Sequence, residues 1–97
     1  MDVTTNPALI TAANGNDTTL VFKCNMPVSG PTVYAQIEVI TGTFQFNVGA
    51  SADDADCPTY VAGDTVPLIP FELSTSSDKA LHFHAANTSE TFKIAIV

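Results

Sequence analysis

His82 and His84 stand two residues apart in Ala80-Leu81-His82-Phe83-His84-Ala85, and on an extended chain that spacing puts both imidazoles on one face, as a metal site requires. Asp53, Asp54, Asp56 and Asp64 supply carboxylates of the kind hard cations take. Their spacing lacks the alternation, the central Gly and the closing Glu of a helix-loop-helix calcium loop, so the bland reading of a solvated acidic loop is preferred. For nucleophilic chemistry the chain offers Cys24, Cys57 and many Ser and Thr, but its two His lie side by side. There is no Gly-x-Ser-x-Gly elbow and no Gly-rich phosphate loop. The expectation is a protein that is not an enzyme and carries neither metal nor cofactor.

The histidine pair resembles the His-x-His of cupins, and the surrounding residues depart from that pattern. Ser76 stands where that family has its upstream Gly, Thr88 and Ser89 stand where it has its Glu, and Glu90 comes one residue late. No second half-motif supplies a further His. His82 and His84 are therefore expected on an exposed polar face next to Lys93.

The elements that would position these residues are strands. Val33, Ala35, Ile37 and Val39 alternate with Tyr34, Gln36 and Glu38, and Phe44, Phe46 and Val48 alternate with Thr43, Gln45 and Asn47. Joined by a tight turn at Thr41 and Gly42, they read as a hairpin with Val39 opposite Phe44, Ile37 opposite Phe46 and Ala35 opposite Val48. A second hairpin is read from Ala80–Ala85 and Thr91–Val97, with Ala85 opposite Phe92, Phe83 opposite Ile94 and Leu81 opposite Ile96. A third joins Ala8–Ala13 to Thr18–Cys24 through the turn signal Asn14-Gly15-Asn16-Asp17. Leu20, Phe22 and Cys24 are expected to face inward there.

Met26–Pro31 is read as a connection between sheets, and residues 50–58 as an acidic loop with one helical turn capped by Ser51. Tyr60–Ala62 is a short strand closed by a turn at Gly63-Asp64. Pro67 and Pro70 demote Val66–Leu73 to an edge or kinked strand. The sum is an all-β fold: a small two-sheet β-sandwich of seven to eight strands, jelly-roll or immunoglobulin-like, forming one domain over residues 1–97 with a flexible arm at 1–6.

Composition narrows the function. Charged residues are 13% of the chain and the net charge is −7, with no Arg. A phosphate backbone needs a basic surface, so nucleic acid is not an expected partner. No stretch has the length of a membrane-spanning helix and the opening residues lack the pattern of a signal peptide, so no membrane partner is expected. In that setting Cys24 and Cys57 read as a buried thiol and a stray one rather than a disulfide.

A surface so poor in charge points to extensive subunit contacts. Val21, Tyr34, Ile40, Ala95 and Val97 are apolar or aromatic residues at outward positions, and they are the expected interface. Tyr34 and Tyr60, beside Asn- and Gln-rich faces, offer the alternative of a monomeric module that binds carbohydrate or protein, although the chain has no Trp.

Gly42-Thr43-Phe44-Gln45-Phe46-Asn47-Val48-Gly49, Tyr60-Val61-Ala62-Gly63-Asp64, Ala80-Leu81-His82-Phe83-His84-Ala85-Ala86 and Glu90-Thr91-Phe92-Lys93-Ile94-Ala95 together resemble the small all-β structural proteins of tailed bacteriophage virions, of the head decoration, cement or head-fibre kind. The resemblance is one of style and covers about Thr32 to Val97. It implies a homo-oligomer, a trimer by preference, that binds the major capsid protein or another virion protein, stabilises the shell and resides in the virion after assembly in the host cytoplasm. It carries no catalytic or ligand residue.

Overall fold

Strand β4 (Thr32–Thr41) follows the expected alternation: Val33, Ala35, Ile37 and Val39 are buried, while Tyr34, Gln36, Glu38 and Ile40 are exposed. Period-two burial of this kind is the mark of a strand with one face on a core. The computed structural model describes residues 2–12, 19–24, 32–72 and 81–97. Within them the remaining strands are β1 (Asp2–Val3), β2 (Ala8–Thr11), β3 (Thr19–Cys24), β5 (Thr43–Val48), β6 (Tyr60–Val61), β7 (Ile69–Glu72), β8 (Leu81–Ala85) and β9 (Thr91–Ile96). The expected turns at 14–17, 26–31 and 74–78 lie outside the described residues.

The strands form two sheets, the β5 sheet in the order β1-β3-β8-β5-β6 and the β4 sheet in the order β2-β9-β4-β7. Asp2 and Val3 run parallel to β3, and the other pairings are antiparallel. Partners close in from both ends of the chain: Ala8 lies opposite Ile94, Thr19 opposite His84, Thr32 opposite Glu72 and Thr43 opposite Val61. The chain is thus one long antiparallel ribbon, with the 49–59 loop at its tip, rolled so that successive segments fall alternately in the two sheets. That is the connectivity of a jelly roll, and it decides between the two sandwich topologies.

The rolling overturns all three expected hairpins. β4 pairs with β9, so that Val39 is opposite Phe92, Ile37 opposite Ile94 and Ala35 opposite Ile96. β5 pairs with β8, which sets Phe44 opposite Ala85, Phe46 opposite Phe83 and Val48 opposite Leu81. Likewise β2 pairs with β9 and β3 with β8. The parity of the apolar rows is as expected, but the rows face each other across the sandwich instead of lying side by side in one sheet. Burial is satisfied either way, and this is why parity could not choose.

At the β4–β5 corner, the register shift between Val39 and Thr41 and the positive φ of Gly42 (85°) accompany the passage from one sheet to the other. Phe92 is fully buried where the two inner faces meet, its ring edge-on to Phe44, Phe46 and Phe83 at 4.9, 5.1 and 5.0 Å between centroids. Leu81, Ile94 and Ala35 close the same layer. In the segment before β2, the Asn6 side chain donates to the Ile96 carbonyl (2.9 Å) and accepts from the Ile96 N–H (3.0 Å).

Candidate functional site

The outer faces of the two sheets differ in what covers them. Over the β5 sheet lies the 49–59 loop, held by its own polar groups. Gln45 Nε2 donates to the carbonyls of Asp54 (2.9 Å) and Cys57 (3.0 Å), and Asn47 Nδ2 donates to that of Ser51 (3.1 Å). Ala52, within the loop, is completely buried. Ser51 Oγ accepts from the Asp53 N–H (3.2 Å), Asp54 Oδ1 accepts from that of Asp56 (2.9 Å), and the Cys57 N–H closes a turn onto the Asp54 carbonyl (3.0 Å). Ser51 and Asp54 therefore fasten the loop to itself.

This cover corrects the expected setting of the histidines. His84 is only 7% exposed, with Nε2 3.9 Å from Asp53 Oδ1, and His82 is half-buried. Lys93 is not beside them, because β9 belongs to the other sheet, where Lys93 lies opposite Glu38. Among the described residues no three His, Cys, Asp or Glu side chains converge as a metal would need. Cys57 is a free, half-buried thiol, pushed up from its ordinary pKa by burial and, after that, by the carboxylates of Asp54 and Asp56. Asp64 is engaged at the tip after β6, where Oδ2 accepts from the Val61 N–H (2.9 Å) beside the positive φ of Gly63.

The β4 sheet turns the other kind of face outward. Tyr34 and Val97 are paired through both backbone bonds (2.8 and 2.9 Å), and both side chains are exposed. Pro70 lies opposite Tyr34 on the far side, and Leu68 stands exposed just before β7. One step along, Ala95 is opposite Gln36; one further, Leu9, Lys93 and Glu38 form a row across three strands. Leu9 is 63% and Val97 59% exposed, large values for side chains of that kind. Gln36, Ile37, Glu38, Lys93 and Ala95 line an open depression of about 250 Å³ in this face.

Of the five expected interface residues, the structure brings Tyr34, Ala95 and Val97 together, with Ile40 at the bulge near the opposite end of β4. Val21 belongs to β3 in the other sheet, its backbone opposite His82, and its side chain lies outside the described part. Tyr34 and Tyr60 do not form an aromatic pair: Tyr60 is in β6 of the β5 sheet, its ring 6.3 Å from that of core Phe46. Leu9, Leu68 and Pro70 were missed. For Leu68 and Pro70 the signal is their alternation about half-buried Ile69, hidden by reading the prolines as breakers, and for Leu9 it is the alternation with buried Ala8 and Ile10.

Glu38 and Lys93, opposite in charge and directly cross-strand, are the charged side chains on this face among those described. In a chain of net charge −7, the described side chains of this face balance one acid against one base, with several apolar groups exposed around them. Covering such a face would bury little unpaired charge. The chain matches no family model, no curated protein and no solved structure.

Proposed function

We propose that this chain is a structural protein of a bacteriophage particle, which binds the shell lattice as a decoration, cement or auxiliary protein and resides in the virion. The observation that carries the reading is the bare face of the β4 sheet, where Tyr34, Val97, Leu9 and Pro70 lie exposed beside half-buried Ala95, with Glu38 and Lys93 the charged pair among the described side chains. A face of this composition fits the surface of a neighbouring protein, with the aromatic and aliphatic groups as anchors and the charge pair for register. Jelly rolls occur in shell-forming and in sugar-binding proteins alike, so the topology alone does not choose.

What favours the lattice reading is the low charge of the whole chain together with a face too small to hold a free partner tightly. The β4 sheet spans roughly 15 to 20 Å across its strands and about 20 to 30 Å along them, a flat footprint of roughly 300 to 600 Å², below the ~800 Å² per partner of a standard stable interface. Many weak contacts acting on one repeating surface would make up the difference. The acidic net charge also keeps such a protein off packaged DNA.

The test is the protein composition of purified particles from the culture that yields this sequence. The chain should co-purify with intact particles at a constant ratio to the main shell protein through successive density gradients. Its absence from the particles overturns the reading.

A second reading rests on the depression beside Lys93. Gln36, Glu38 and Lys93 around about 250 Å³, with Tyr34 on the same face, suit a sugar-sized ligand on a monomeric binding module. It predicts saturable binding to glycans that Tyr34→Ala weakens, and a glycan screen showing no binding removes it.

A further inference from the structure

The edges of the two sheets are not equally protected. β1 and β6 are two residues long, and β7 carries Pro70 within it and Pro67 just ahead of it. Short strands and prolines are the usual means of blocking an edge. β2 has neither: Ala8-Leu9-Ile10-Thr11 is uncharged and free of proline after Pro7, and among the described residues no strand pairs with its outer side.

The direction of its backbone groups follows from the ladder on its inner side. The Ala12 N–H donates to the Glu90 carbonyl (2.9 Å) and the Ala12 carbonyl accepts from the Ser89 N–H (2.9 Å). Alternate residues of a strand point their N–H and C=O groups to opposite edges. Ala8, Ile10 and Ala12 therefore bond toward β9, and Leu9 and Thr11 present their N–H and C=O groups to the outer side.

We propose that a second copy of this chain pairs with β2 along that edge, antiparallel and related by a twofold axis normal to the sheet. Leu9 then lies opposite Thr11 of the second copy, Thr11 opposite its Leu9, and Ile10 opposite its Ile10. In this register each Leu9 and Thr11 uses both backbone groups, the outward side chains stay outward and the Ile10 side chains meet on the core side. The alternative, with Leu9 opposite Leu9, would set Thr11 against Pro7, which has no N–H to give.

Charge permits the contact. β2 has no ionisable side chain, so the paired strands themselves set no acid against an acid. The contact is small. Four residues make about 13 Å of edge, and a strip of that length roughly 10 Å wide is well short of the ~800 Å² per partner of a stable complex. The dimer is therefore weak and concentration-dependent, and twofold in place of the threefold assembly that the virion resemblance implies. Its consequence deepens the proposed function and rests on it: two bare faces become one continuous sheet surface, which doubles the area offered to a lattice.

Sedimentation of the full chain alone, from roughly micromolar to millimolar, reads the dimer without any particle present. The expected result is a monomer–dimer equilibrium, weakened about tenfold by Leu9→Lys with unchanged circular dichroism and melting temperature. Amide exchange at Leu9 and Thr11 should slow as concentration rises. A monomer throughout, a trimer, or association that Leu9→Lys leaves intact with concentration-independent exchange at those amides overturns the proposal. A dimer that fails to bind particles would sink the virion reading and leave this one standing.

Discussion

The side chain of Glu90 lies directly across the α-carbon of Gly42, so close that a β-carbon there would collide with the Glu90 Cβ, Cγ and Cδ. Glu90 is 9% exposed; its Oε1 accepts from Asn87 Nδ2 (3.1 Å), and its Oε2 has no hydrogen-bond partner among the described residues. The corner at which the chain leaves the β4 sheet for the β5 sheet is thus built from a residue without a side chain and a buried carboxyl packed over it.

Gly42→Ala should cost about 2 to 4 kcal/mol of unfolding free energy, from the positive φ forced on a β-carbon and the overpacking against Glu90. Chemical denaturation measures it. Glu90→Ala added to that variant should return part of the loss, since it clears the collision and leaves the backbone strain. If Gly42→Ala is as stable as the parent, the corner is wrongly described.

Phe92→Ala removes the ring that Phe44, Phe46 and Phe83 surround, at a position with no exposure. The expected loss is about 3 to 5 kcal/mol. Phe46→Ala, on the facing strand, is expected in the same range. A loss below about 1 kcal/mol for either would mean that its ring is outside the core.

Asn6→Ala takes both hydrogen bonds from the part-buried backbone of Ile96. A loss of about 1 to 3 kcal/mol is expected, with faster amide exchange at Ile96. Unchanged exchange there would show that the residue 4–7 segment is not held by this side chain.

The Cys57 thiol, raised by burial and then by Asp54 and Asp56, is less ionised in the folded chain than in the unfolded one at the same pH. Folding therefore favours the protonated thiol, and this contribution turns against stability as pH rises through the ordinary thiol range. Alkylation at mildly alkaline pH, followed by peptide mapping to separate Cys57 from Cys24, should be slower in the native chain than in denaturant. Asp54→Asn should speed it. Equal rates in both states would contradict the assigned environment.

Much of the strand content was legible because it depends on alternation, which is local. Residues 33–39 and 44–48 announce both their extended form and their inward side. Pairing was not legible, since Val39 is equally well buried beside Phe44 in one sheet or facing it from another, and the difference lies in the rolling of the whole ribbon. The same distinction hid the site in part. Tyr34, Ala95 and Val97 could be read as outward, but their meeting on one face required β9 to sit between β2 and β4. His84 looked exposed because nothing local says that the 49–59 loop folds back over it.

Docking of the bare β4 face onto a shell lattice is what the proposed function requires. Co-sedimentation of purified chain with particles stripped of it tests this most directly, comparing the parent with a Tyr34→Lys/Val97→Lys variant whose melting temperature is unchanged. Saturable binding by the parent at a fixed number of copies per particle, and loss of binding by the variant, are expected. Binding by the variant equal to that of the parent, or no binding by either, would contradict that docking.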